Sequence, residues 1–327
     1  MRDLPRVTLA TLIGFGIAVA AGPGFAQTTE NFPSRPIRII VPFTAGSAAD
    51  ILARRLAPKM SENWGQQVVV DNRPGAGGTI GANIVAKATP DGYTLLVHSA
   101  AFAVSAALYP KLPYDPLKDF SPVSQIVIAP IVLVVAPALG ARSVKDLLAL
   151  ARQKPGQITF ASSGVGSSTH FAGEQFRLAA GINVVHVPYK GVPEALLDTM
   201  TGRIQYYLSP LVPALPFIND GRLLALAVTP VQRTPVLPDV PTIAEALPGY
   251  EYQDWWGVFA PATTPRPVID KLSKETARIV ELPDIRKQML NQGEEPRPST
   301  PEEFTRFVRA KVEYARKVVT LAGIRVE

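Results

Sequence analysis

The sequence predicts an α/β protein of two lobes, each a mostly parallel sheet flanked by helices and joined to the other by two crossing strands. Three observations carry that expectation. Short β-branched runs alternate with helical patterns along most of the 327 residues, a length suited to two ordinary domains. Two proline-rich stretches, 108–122 and 237–248, interrupt the alternation. Two turns in separate halves of the chain are alike, each running from a short strand through small polar residues into a helix.

Residues 1–26 come first and read as an export signal. Arg2 and Arg6 form a short basic start, an apolar core of about 15 residues follows, and Gly24-Phe25-Ala26 offers a small-x-small cleavage site. The apolar run falls short of the roughly 20 residues that span a bilayer. Cleavage after Ala26 and a mature chain in the periplasm are therefore expected, with no Cys to carry a lipid. The absence of Cys also excludes disulfides, thiolate metal sites and cysteine nucleophiles. Loss of two Arg and one Asp with the signal takes the formal charge from +6 to +5. The cations sit beside acids on helical faces, as in Glu302, Glu303, Arg306 and Arg309, so nucleic-acid binding is not indicated.

Ile37 to Val41 reads as a buried strand and the run Ile51, Leu52, Leu56, Met60 as a helix with Asp50 at its N-cap. Between them, Phe43-Thr44-Ala45-Gly46-Ser47 lets a ligand approach backbone N–H groups at a helix start, where the macrodipole favours an anion. A strand at 68–71, the turn Arg73-Pro74-Gly75-Ala76-Gly77-Gly78, a helix at 79–88 and a strand at 93–97 follow. That glycine-rich turn lacks both G-x-G-x-x-G and a Gly-Lys-Ser/Thr ending, so it serves turning and close packing. The β-rich run 123–135, broken by Pro130, crosses to the second lobe. There the pattern predicts helix 143–153, strand 158–161, helix 169–180, strand 184–187, helix 192–201, strand 204–208, a helix to about Asn219 and strand 223–228. The second anion-friendly turn, Ser162-Ser163-Gly164-Val165-Gly166-Ser167-Ser168-Thr169, lies here. Residues 250–260 return to the first lobe, and the tail from Pro265 is mostly helical. The division is thus 27–124 plus 254–327 for the first lobe and 125–253 for the second.

Six segments in order resemble one family: Pro33-Ser34-Arg35-Pro36-Ile37-Arg38, Asp71-Asn72-Arg73-Pro74-Gly75-Ala76-Gly77-Gly78, Pro90-Asp91-Gly92-Tyr93-Thr94-Leu95, Tyr109-Pro110-Lys111-Leu112-Pro113-Tyr114-Asp115, Val187-Pro188-Tyr189-Lys190-Gly191 and Leu237-Pro238-Asp239-Val240-Pro241-Thr242. They are similar to the Bug family, the periplasmic solute receptors of tripartite tricarboxylate transporters. The resemblance implies a type II periplasmic-binding-protein fold that closes on a small carboxylate and partners membrane transporter subunits, as a monomer, without cofactor or metal and without catalysis. It implies ligand contacts from Phe43, Ala45, Gly46 and Ser47 in one lobe and Ser162, Gly166, Ser167, Ser168 and Thr169 in the other. Ser99, Tyr189 and Asp254 are expected at the cleft edge. This chain departs from the family pattern at Ser47, Ala49 and His98, and at Gln205 and Ser209, where many relatives carry Asp. Neutral side chains at those two positions, with Phe43, Tyr206 and Tyr207 nearby, suggest a carboxylate without an amine and with a flat or aromatic body.

Three other readings find less support in the residues. A hydrolase built on Ser162, Ser163 and His170 lacks G-x-S-x-G. The three His, His98, His170 and His186, show no metal-ligand spacing. A receptor serving a signalling partner instead of a transporter is not separable from the sequence. Trp255 and Trp256, as strand neighbours, should face opposite sides, so one of them can reach the cleft.

Overall fold

The computed structural model describes residues 31–322; the expected export signal and its cleavage site lie outside the described residues. The first stretch contains β1 (Ile37–Val41), α1 (Ala48–Trp64), β2 (Val68–Asn72), α2 (Thr79–Ala86), β3 (Thr94–Ser99), α3 (Ala101–Leu108) and β4 (Phe120–Ala129). The middle contains β5 (Ile131–Val135), α4 (Val144–Gln153), β6 (Thr159–Ser162), α5 (Ser168–Ala180), β7 (Val185–Pro188), α6 (Val192–Met200), β8 (Tyr206–Pro210), α7 (Leu211–Asn219) and β9 (Leu224–Val228). The chain then returns through β10 (Asp254–Pro261) and ends in α8 (Arg266–Val280), α9 (Pro283–Asn291), β11 (Glu295–Pro296) and α10 (Pro301–Ala322). No helix among the described residues is long and apolar enough to cross a membrane.

Two sheets form, one per lobe, in the orders β11-β4-β10-β3-β1-β2 and β7-β6-β8-β5-β9. Both are mixed. In the first, β1 runs parallel to β2 and β3, while β10 enters antiparallel to β3 and β4. In the second, β6 is parallel to β7 and β8, and β5 is antiparallel to β8 and β9. The alternation of strands and helices accounts for the parallel pairs; the antiparallel ones arise because the crossing strands must travel back between lobes.

Each sheet is covered on both faces, as parallel βα units require. In the first lobe, Ile37, Ile39 and Val41 pack on α1 and α8, while Ile40, Leu96 and Phe259 pack on Phe102 and Phe304. In the second, Leu133, Phe160 and Tyr206 face α4 and α5, while Val132, Val134 and Tyr207 face α6 and α7. The helix α3 was not anticipated: apart from Ser105 its residues are apolar all round, so no 3.6-residue stripe marks it, and it is buried, with Phe102 in a first-lobe core and Val104 and Leu108 in a second-lobe core.

The two crossings lie side by side, with Asp254 of β10 opposite Ala129 of β4. The strand β4 stays in the first sheet through Ala129, so the expected division between 124 and 125 falls inside it, and the sheet changes at Pro130. There Ile131 N–H donates to Thr229 Oγ1 at 3.1 Å and Tyr252 N–H to Thr229 O at 3.3 Å, tying the outgoing and returning segments together.

On β10, Gly257 sits under the Phe304 ring, where a Cβ would lie 2.1 Å from the ring carbon Cζ. Phe304 is fully buried, so the ring has nowhere to yield. Gly257→Ala is expected to destabilise the protein by about 1–3 kcal/mol in urea denaturation, and adding Phe304→Leu should recover part of the loss. An unchanged midpoint for the single variant would contradict this packing.

Candidate functional site: the cleft between the lobes

The cleft is built from the same local device used twice. In the first lobe Ser47 N–H donates to Thr44 O at 3.2 Å, Gly46 has φ +80°, and the Ser47 hydroxyl caps α1 by accepting from Asp50 N–H at 3.3 Å. In the second, Ser167 N–H donates to Gly164 O at 3.0 Å, Gly166 has φ +80°, and the Ser167 hydroxyl caps α5 by accepting from His170 N–H at 3.2 Å. The glycines are needed because other residues resist that left-handed conformation. The cap of α1 is therefore Ser47 and not Asp50, whose carboxylate instead accepts from Gly46 N–H at 2.9 Å. His170 Nδ1 holds the equivalent place, accepting from Gly166 N–H at 3.3 Å.

This arrangement decides which donors are free. The N–H groups of Gly46, Ser47, Asp50, Gly166, Ser167 and His170 are used within the loops. Those of Ala48 and Ala49 at the start of α1, and of Ser168 and Thr169 at the start of α5, have no partner among the described residues. Helix starts leave such donors unpaired, and the two macrodipoles add positive potential at the same place.

The space between is lined by Phe43, Ser47, Ala48, Ser99, Ser168 and Trp256, with Ser163, Val192 and Pro210 completing the wall, and its volume is about 20 Å³. The lobes touch around it. The Tyr109 hydroxyl donates to Val165 O at 2.9 Å, a Cβ on Gly77 would lie 2.2 Å from the same Val165 O, and a Cβ on Gly191 would lie 1.8 Å from Thr44 Oγ1. The structure is thus a closed arrangement, tighter than a ligand larger than a water can occupy, so a ligand must part the lobes somewhat.

Behind Ser168 lies a buried polar floor. Asp254 is fully buried; Oδ1 accepts from Trp255 N–H at 2.9 Å and Ala100 N–H at 3.2 Å, while Oδ2 has no hydrogen-bond partner among the described residues. Burial pushes its pKa up to about 6, although the Ser168 hydroxyl and the two N–H groups pull in the other direction. The Tyr207 hydroxyl reaches the same region, and burial raises its pKa above the usual value. His98 is held neutral: burial lowers its pKa to about 3, and Nδ1 accepts from Ser99 N–H at 2.9 Å.

Several expected contacts lie elsewhere. Ser162 is turned away from the cleft, its Oγ 2.6 Å from His186 Nε2 and accepting from Gly164 N–H. Gln205 sits at the opposite end of the sheet, where its Oε1 accepts from Thr159 N–H and Oγ1–H. The Tyr189 hydroxyl is committed to Asp198 at 2.8 Å. Ser209 is buried, with its hydroxyl donating to Pro210 O at 3.0 Å. Ala45 and Gly46 are exposed at the rim, and Thr169 is buried with its hydroxyl bonded to Ser163 N–H. Tyr206 is not a cleft wall: its ring stacks on Phe160 at 5.6 Å in the core. Sequence reading missed Ala48, Ala49, Ser163, Val192 and Pro210. For Ala48 and Ala49 the signal was available, since a correct cap at Ser47 places their N–H groups first in the helix. Val192 and Pro210 reach the site only through tertiary folding.

Two lobes joined by paired strands, with helix starts facing each other across the gap, define the class of two-lobed solute-binding proteins. A family model described as "Tripartite tricarboxylate transporter family receptor" matches residues 52–324, and the chain belongs to that family. It is 35% identical over 322 residues to the protein BugT of Bordetella pertussis, covering 98% of each chain. The structure of the periplasmic binding protein BugD aligns with a TM-score of 0.87 at 33% identity, over 90% of this chain and 100% of that one. The structure of R. palustris Rpa4515 with adipate aligns with a TM-score of 0.87 at 36% identity, over 90% and 99% of the two chains.

Asp254 also gives the site a pH signature. Its folded pKa of about 6 lies above the ordinary 3.8, so the folded state holds the proton more tightly and stability falls as pH rises through that window. Asn keeps an acceptor for the two N–H groups and removes the charge. Asp254→Asn should therefore gain about 2 kcal/mol on the wild type between pH 4.5 and 7.5, measured by urea denaturation at both pH values. A difference independent of pH would show that the buried carboxyl does not titrate there.

Proposed function

We propose that this protein is a periplasmic receptor that captures a small organic carboxylate lacking an amine and delivers it to the membrane subunits of a tripartite transporter. The observation that carries the reading is that unpaired backbone N–H groups from both lobes, those of Ala48 and Ala49 from one and Ser168 from the other, line one cleft. An anion held there receives charge-assisted hydrogen bonds from both halves, and so binds the closed arrangement better than the open one. The adipate on the relative supports a carboxylate ligand, and the family's description supports the transporter partner. The export signal at 1–26 supports the compartment.

Phe43 and Trp256 supply an apolar wall for the ligand's body. No carboxylate lines the cleft directly; Asp254 stands one side chain behind it. Closure is proposed to turn about Pro130 and residues 253–254. Catalysis is not part of the reading. Burial and neighbouring His170 hold the His186 imidazole down at about 3, which makes it a poor base toward Ser162 at neutral pH.

Calorimetry on the mature protein with adipate, benzoate, glutamate and aspartate tests the ligand class. Tight binding of adipate or benzoate with weak binding of both amino acids is expected; the reverse order would sink the proposal. A bound anion raises the Asp254 pKa further, so binding takes up a proton, and affinity should rise between pH 7.5 and 5.5.

Gly77→Ala probes closure. Its Cβ would meet Val165 O, and the residue's φ of +61° adds strain of roughly 1–2 kcal/mol. Affinity for the ligand identified above should fall at least tenfold while the fold persists by circular dichroism. Unchanged affinity would place closure elsewhere.

A further inference from the structure

A second cavity, of about 200 Å³, lies on the other side of β10 from the cleft. Alternation along the strand separates the two: Trp256 lines the cleft and Trp255 lines this pocket. Its walls come from both lobes. Phe171 belongs to α5 of the second lobe, whereas Ala103 of α3 and Lys311 and Tyr314 of α10 belong to the first. Phe171 and Trp255 both line it and are otherwise almost wholly buried.

Lys311 gives the pocket a charge. It forms no ion pair or hydrogen bond among the described residues, and its ammonium lies 5.2 Å from the Phe307 ring centroid and 6.0 Å from that of Tyr314. Burial lowers its pKa, with Glu251 acting in the opposite direction. Glu251 stands exposed at the rim and disfavours a second negative charge on any occupant. A cavity of about 150 Å³ lined by apolar side chains admits benzene, so this one has room for a ring and a carboxylate.

We propose that this pocket is a second ligand site, for a small monocarboxylate with a ring-sized apolar body, the carboxylate on Lys311 and the ring between Phe171 and Trp255. Because its walls move with different lobes, it has this shape only in the closed arrangement, and its occupant favours closure. The two sites share a wall: Ser99 lines the cleft, Ala100 lines the pocket, and Ala100 N–H is bonded to Asp254. Linkage then requires that a ligand in either site tighten binding in the other. This coupling rests on the cleft being a carboxylate site, but occupancy of the pocket does not.

Crystals of the mature protein soaked in 4-bromobenzoate locate the bromine by anomalous scattering. The expected peak lies between Phe171 and Trp255 and falls at least fivefold in Lys311→Met, which keeps the alkyl stem. In solution, with the cleft saturated by adipate, 4-bromobenzoate should still bind the wild type in calorimetry and bind at least fivefold more weakly to Lys311→Met. A bromine peak confined to the cleft, no peak at all, or equal occupancy in Lys311→Met would overturn the proposal. Failure of adipate to bind at all would count against the cleft reading alone, since the bromine position decides the pocket independently.

Discussion

The antiparallel pairing of β4 with β10 is the constraint on which the rest of the molecule depends. It brings the outgoing and returning chains into one ladder, with Asp254 against Ala129 and the change of sheet one residue later at Pro130. Two lobes tethered by adjacent strands keep a fixed relation along the sheet and retain freedom to rotate about the tether, which is the geometry of hinge closure. The same ladder carries Trp256 into the cleft and Trp255 away from it, so one strand forms the common wall of both cavities.

At that wall the protein accepts a buried charge. A carboxyl shielded from water with one oxygen unpaired is costly, and the cost appears as the raised pKa of Asp254. The histidines show the opposite sign. His98 and His186 are both held near 3, below the ordinary 6.5, so the stability they contribute is present above 6.5 and is lost as pH falls through that range. The lobes thus contain neutral imidazoles and, behind the cleft, an acid whose repulsion of an incoming anion is relieved when it takes up a proton.

The two cleft loops share a hydrogen-bond scheme but differ in charge. Asp50 in the first is ionised: burial opposes that, and hydrogen bonds from Arg54, Gly46 and Asn72 outweigh it. In the second, neutral His170 accepts the equivalent N–H, so the pattern needs an acceptor four residues after the glycine and not a particular charge. The Asp50–Arg54 pair lies along the helix and cancels locally, which leaves the positive potential of both helix starts available to a ligand.

Local sequence determined most of the elements and the two loops, because β-branched runs, helical stripes and small-residue turns act through neighbours a few residues apart. The sequence marked both small-residue loops before apolar helices, although it put the first cap at Asp50, where the structure has Ser47. The direction of Ser162 and the position of Gln205 were settled by strand pairing: the cleft lies at the carboxyl end of β6, and Gln205 pairs with its start at Thr159. Tyr206 and Tyr207 differ only in the face of β8 they occupy, and a sheet buried on both sides gives no polar alternation to tell them apart. The helix α3 stayed hidden for the same reason, being apolar on every side apart from Ser105. Cross-lobe contacts such as Gly77 with Val165, and the cavity between Phe171 and Trp255, join residues far apart in the chain, and no short-range pattern encodes a distance that only the assembled lobes define.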